Sequence, residues 1–295
     1  MRYKKTFKTY SEQLEILIQR GLIVEDKELA KSYLKKLNYY RFSSYCIPFQ
    51  KEKDKFYDNI FFSDILRLYD FDSSLRALLF VILEKVEVQL RTLMAYFFGK
   101  VHGPWGYTDA SSFNYNFSHD DWFTNINREI ERSNEVFIKH FKDKYRESPY
   151  LPVWMVVEIM SLGSISCMFQ GMKYADQKEL SKEFGVKRKV VISWLHHLNY
   201  IRNTCAHHNR LWNRLFRIKP KVPDDHFGEF LKENNDKLFA TFSILLYLVN
   251  QFGLDINIIE KLEIIFNKYE DSFQFSLKKE MGFPKYYDQI SLWNS

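Results

Sequence analysis

Apolar residues recur along this chain mostly at spacings of three and four, which gathers them on one side of a helix. The clearest stripe is Leu75, Leu79, Ile82, Val86, Leu90, Leu93 and Phe97. It predicts a long helix from Ser73 to about Lys100, ended by His102-Gly103-Pro104, with a shorter helix from Ser63 to about Asp70 before it. Further upstream, Ser11 is a candidate cap for a helix over Glu12 to Arg20 that stops at Gly21. Leu29, Tyr33 and Leu37 set another over Lys27 to Leu37. The aromatic stretch 38–45 reads as a link and the polar stretch 51–59 as a loop. Beyond a loop over 105–117, helices are expected over Asp120 to Arg146, behind Ser118, and over Val153 to Leu162. Others are expected from Gly163 on to Met172, over Asp176 to Phe184 and over Lys187 to about Asn209. Two more, over Asp225 to Phe252 and Asp255 to Tyr269, precede an irregular end. No segment of useful length alternates with period two, and no repeat is evident. The expectation is all-α: an N-terminal helical extension over 1–59, packed on a helical domain over 60–295.

Composition narrows the class. At 295 residues and 46% hydrophobic content the chain has enough apolar material for a substantial core. Ten Gly and seven Pro leave room for long helices with few tight turns. Cys46, Cys167 and Cys205 lie far apart, without the paired spacing of a zinc cluster or a disulfide framework. No apolar run approaches a membrane span, and the N-terminus lacks the apolar segment of a signal peptide. A cytoplasmic protein without a membrane partner is therefore expected.

Charge singles out one region. The net charge of +6 is a mild lean toward acidic partners. From Phe184 through Pro223, however, there is no Asp or Glu, while nine Lys or Arg and four of the eight histidines fall there. Within it lies Ile201-Arg202-Asn203-Thr204-Cys205-Ala206-His207-His208-Asn209-Arg210. A helix that gathers cations, imidazoles and an Asn while excluding carboxylates suits a polyanion on which protons must move.

Helical geometry sharpens this. At 100° per residue, Val191, Trp194, Leu195, Leu198, Ile201 and Cys205 form the apolar stripe, and Arg202 falls inside it. A guanidinium there keeps its charge, so it needs a partner or a cleft open to water. Glu84 and Glu87, which share a face of the long helix with Arg91, are candidate partners. His207 is about 140° round from Arg202, with Cα atoms about 9 Å apart. One helix does not aim both tips at one point, whereas two copies facing each other bring two Arg and two His around one groove. A homodimer through these helices is the expectation.

The spacing Arg202 to His207 is similar to the R-x4-H motif of HEPN ribonucleases. The longer run Arg202 to Asn213 resembles the signature of the AbiD/AbiF-like abortive-infection family, as do Lys36 to Phe42 and Leu83 to Thr92. The resemblance implies a HEPN-like helical bundle dimerised through the motif helices, metal-independent RNA cleavage with no cofactor, and a role in phage defence. It also implies kinship to the nuclease domains of type VI CRISPR effectors and, by analogy with some members, a small-RNA antitoxin as partner.

On that basis His207 acts as base on a 2′-hydroxyl or as acid on the 5′-oxygen. Arg202 stabilises the phosphorane, and Asn203 binds the phosphate or orients the histidine. Glu84, Glu87, Arg91 and His208 support them. Arg210, Trp212, Arg214, Arg217, Lys219 and Lys221 contact RNA, Trp212 by stacking. Each has a plainer reading: Arg202 as a structural ion pair, Glu87–Arg91 as helix support, Trp212 and Phe216 as core, and His196 and His197 as ordinary helix-face residues. A thiol nucleophile built on Cys205 and His208 lacks a third orienting group. His196 is about 16 Å from His207, too far to share a metal. The competing function is a non-catalytic RNA-binding module using the same groove; a partner of a nucleotidyl-transfer enzyme is a third.

Overall fold

The computed structural model describes residues 6–224, 230–232 and 234–294. It is all-α: thirteen α-helices are described, with one small hairpin and several 3-10 turns. The chain divides into two compact units. One comprises Met1–Ala77 and Glu260–Lys278, the other Leu78–Ile259 and Lys279–Ser295.

In the first unit, α1 (Tyr10–Gln19) begins at Thr9 rather than at Ser11. Thr9 and Glu12 cap each other reciprocally, and the Glu12 side chain accepts from the Thr9 amide at 2.7 Å. Asp26 caps α2 (Lys27–Leu37). The expected aromatic link is instead a helix, α3 (Tyr39–Cys46). Asn38 makes this possible by taking a left-handed backbone at φ 62° while its side chain accepts the Tyr40 amide at 2.9 Å. Gln50–Glu52 and Lys55–Phe56 pair as a two-stranded hairpin where a loop was expected.

The two helices expected over 63–100 are one, α4 (Phe62–His102). Asp70, Asp72 and Ser73 resemble a helix boundary because Asp and Ser favour caps. Here Asp72 turns inward instead. Its carboxylate takes the Tyr45 hydroxyl proton at 2.6 Å and pairs with Arg76 one turn on, and Arg76 donates to the Tyr45 oxygen at 3.2 Å. Asp72 and Arg76 are both buried, and burial with the neighbouring Asp72 charge raises the Tyr45 phenol far above its ordinary value. Satisfied in this way, the polar residues no longer interrupt the helix.

In the second unit, the single helix expected over 120–146 is two, α5 (His119–Arg132) and α6 (Val136–Lys144). Ser133 adopts an extended backbone between them. Then follow α7 (Val153–Ile159), α8 (Leu162–Gly171), α9 (Tyr174–Leu180) and α10 (Arg188–Ala206). The next, α11, covers Leu238–Phe252 and not Asp225 onward; residues 225–229 and 233 lie outside the described set. Eleven of its fifteen residues are buried, as expected of a helix that is apolar nearly all round. α12 (Ile258–Tyr269) starts three residues later than the pattern suggested, and α13 (Leu277–Glu280) is a single turn in the stretch read as irregular. α10 packs on α8, and α5 on α7 and α8.

Removing one side of a buried ion pair leaves the other poorly compensated. Asp72→Ala is expected to cost about 3–5 kcal/mol of stability in urea unfolding. An unchanged midpoint would show that the Tyr45–Asp72–Arg76 group does not hold the first unit.

Candidate functional site

The site is built on α10. Its apolar stripe is buried as its spacing requires: Val191, Trp194, Leu195, Leu198, Ile201 and Cys205. Buried with them is His197, expected only as an ordinary helix-face residue. Its Nδ1 lies 2.6 Å from the Ile218 carbonyl and its Nε2 2.9 Å from the Thr241 hydroxyl. A carbonyl can only accept, so Nδ1 carries the proton and Nε2 accepts from Thr241. Both ring nitrogens are thereby satisfied in the neutral form, and burial lowers the pKa to about 4. Two more bonds join the same neighbours: Trp194 Nε1 donates to the Lys221 carbonyl at 2.9 Å, and the Lys221 amide donates to Ser193 Oγ at 2.8 Å. The basic segment that follows the motif is therefore tied back along α10.

The motif ends the helix. The Asn209 amide donates to the Thr204 carbonyl and the His208 amide to that of Cys205, the paired bonds of a left-handed helix cap. Such a cap usually holds Gly at the residue with positive φ, but here that residue is His208, at φ 54°. A side chain in this region costs about 1–2 kcal/mol. His208 is exposed and so takes no part in the core. His207, also exposed, sits one step past the last helical residue, and its amide donates to the Asn203 carbonyl at 3.0 Å.

Arg202 stands at the border of the stripe rather than within it, its side chain 38% exposed. Its Nε is 3.9 Å from Oε2 of Glu87, the partner expected from the sequence. Glu87 also pairs with Arg91, which donates to the Val157 carbonyl in the last turn of α7. The Arg91 and Glu87 side chains are each only 13% exposed. One carboxylate thus faces two guanidiniums. Glu84 is exposed and lines the cleft along α4 that Glu87, Arg91 and Arg202 also line. On their other side, Arg91 and Arg202 line a second cleft, with Arg132, Glu129 and Glu158. His207 lines neither. Asn203 is exposed, its amide 3.5 Å from Asn199 Oδ1. Within one chain, then, Arg202 and His207 do not line a common cleft among these two.

The residues expected to touch RNA divide. Arg217 and Lys221 are exposed. Arg214 lies over the Tyr200 ring at 5.8 Å and reaches the Arg210 carbonyl at 3.4 Å. Lys219 is neutralised by Asp236 at 2.6 Å. Trp212 is wholly buried, so the stacking role expected for it is corrected: its ring belongs to the core. Phe216 is core as well, edge-on to His197 and Tyr200. Cys205 is fully buried, away from any substrate a thiol nucleophile would attack. The Arg91 contact to Val157 and the inward turn of His197 had no signal in spacing, since their partners lie far away in sequence.

An all-helical protein with a cation-rich motif helix is the class that fold and site define. Residues 32–213 match the Abi-like protein family, and the match takes in Glu87, Arg91 and the whole run from Arg202 to Asn213. The chain belongs to that family, one of abortive-infection proteins. No curated protein and no solved structure matches it. Among the described residues, no helix is long and apolar enough to cross a membrane.

His197 makes a pH prediction. Its folded pKa lies below the unfolded value of about 6.5, so the unfolded chain binds the extra proton between the two. The stabilising contribution is present above pH 6.5 and is lost as pH falls toward 4. With about 1.4 kcal/mol per unit, the loss is about 3 kcal/mol. In urea unfolding at pH 7 and pH 4.5, His197→Gln should show a smaller acid loss than the natural chain. Equal losses would mean that His197 does not titrate between the two states.

Proposed function

We infer that this Abi-like protein is an endoribonuclease of the HEPN type, a toxin of an abortive-infection system that cuts RNA without a metal. In this reading the 2′-hydroxyl attacks the adjacent phosphorus, the bond to the 5′-oxygen breaks, and a 2′,3′-cyclic phosphate and a 5′-hydroxyl remain. His207 takes the proton from the 2′-hydroxyl or delivers one to the leaving oxygen. Arg202 stabilises the charge on the phosphorane, and Asn203 binds the phosphate or orients the imidazole. DNA has no 2′-hydroxyl and is not cut. A small-RNA antitoxin fits the same basic surface.

The observation that carries the reading is the state of Arg202. It is half-exposed at the meeting of two clefts, within the family match, and touches Glu87 only at 3.9 Å. An arginine serving only as an ion pair gains most from close contact, and Glu87 makes its close contact with Arg91 instead. Because His207 does not line the clefts that Arg202 lines, this reading calls for a second copy of α10 and so for a homodimer. That same separation also favours the runner-up, a non-catalytic RNA-binding module, if the chain acts alone.

The purified protein, incubated with total RNA and a chelator, is expected to leave 2′,3′-cyclic phosphate ends. His207→Ala should slow cleavage by about 10²–10⁴ and Arg202→Ala by about 10²–10³. Full activity in the double variant, or activity abolished by the chelator, would overturn this mechanism. Tight RNA binding with no cleavage would select the runner-up.

A further inference from the structure

Six cationic side chains gather at the other end of α10 from the motif. A cleft of about 900 Å³ opens there, lined by Lys178 and Lys182 from the α9 region, by Lys187, Arg188 and Lys189 at the start of α10, and by Lys221. Lys221 arrives because its segment is bonded back along α10 through Trp194 and Ser193. Among the described lining residues the one carboxylate is Asp224, paired with Lys187 at 3.1 Å in an exposed bridge; Lys182 also has a surface partner in Glu179. Exposed pairs of this kind are worth little and yield readily to a polyanion.

The cleft is built rather than accidental. Arg188 lies over the Tyr174 ring at 4.3 Å and donates to Gln177 Oε1 at 2.9 Å. Gln177 is itself buried, its amide donating to the Phe169 and Gln170 carbonyls. Tyr174 is 62% exposed, so this aromatic–guanidinium stack offers a flat surface to solvent. The turn into α10 is set by Gly185, at φ 66°, where an added Cβ would meet the Tyr247 hydroxyl at 2.5 Å. From here Lys189, His196 and Asn203, seven residues apart, are all exposed. They share one helical face, and His207 follows within about 40° of it. A polar track thus joins the cleft to the motif over about 28 Å.

We propose that this cleft is a second binding site for single-stranded RNA: it grips the phosphate backbone, stacks a base on Tyr174, and feeds the strand along α10 toward His207. Cations with an interleaved aromatic are the means by which single strands are held without reading sequence. The proposal rests on the RNA reading above, and it predicts a length dependence. A substrate shorter than the track cannot reach both ends.

The test uses the full chain carrying His207→Ala, so that RNA stays intact, and a fluorescein-labelled 20-nucleotide uridine strand followed by anisotropy across a salt series. Adding Lys178→Glu, Lys182→Glu and Lys189→Glu, all at exposed positions, should weaken binding at least about 10-fold and lower the salt slope by about 2, at about 0.7 per lost contact. Tyr174→Ala should weaken binding about 10-fold with the slope unchanged. In chains with His207 intact, the triple change should slow cleavage of the 20-mer at low substrate yet leave cleavage of a uridine dinucleotide unaltered. Unchanged affinity and slope in the triple variant would overturn the second site while leaving RNA cleavage standing. If the parent binds no RNA and the natural chain cuts none, both readings fall. If the triple variant loses binding but the natural chain never cuts, the second site stands and the cleavage reading alone fails.

Discussion

Glu87 holds two guanidiniums from one carboxylate, and the candidate site depends on that sharing. A side chain 13% exposed beside two arginines is costly to desolvate, and its mutual attraction with them must return that cost. The arrangement divides the labour. Arg91 takes the close contact and ties α4 to the last turn of α7. Arg202 receives the field of the carboxylate without being consumed by it, and so keeps donors free to face a cleft.

The same economy appears along α10. Trp194 and His197 on its buried side, together with the half-buried Ser193, bond the segment 218–221 back to the helix. That return clears the open face for polar residues and carries Lys221 to the far end. The motif end is shaped by a cap with a histidine where glycine is usual, a local cost of the kind found at working sites. What spacing presented as one basic helix is a scaffold with two ends of different character, an imidazole end and a cationic end.

Much of this could be read from residue order, and the rest could not, for physical reasons. Helix stripes were legible because burial imposes a period: every apolar residue assigned to the α10 stripe is buried. The pairing of Arg202 with Glu87 was legible because a charge near an apolar stripe must find its opposite. Asp72 misled because cap-forming residues mark a boundary only when they face water, and the partner that turns it inward, Tyr45, is remote in sequence. Trp212 misled because its polar, basic neighbours say nothing of the ring's direction. The cationic cleft was hidden because its lysines come from three separate stretches, and adjacency in space has no signature in spacing.

If the proposed chemistry is divided between two copies of α10, inactive chains should repair each other. Arg202→Ala and His207→Ala proteins would each be assayed on RNA alone, then mixed after co-refolding. The mixture should recover cleavage, because a mixed pair retains one intact arginine and one intact histidine around the groove. A mixture that forms mixed dimers yet stays as inactive as its components would contradict the shared site.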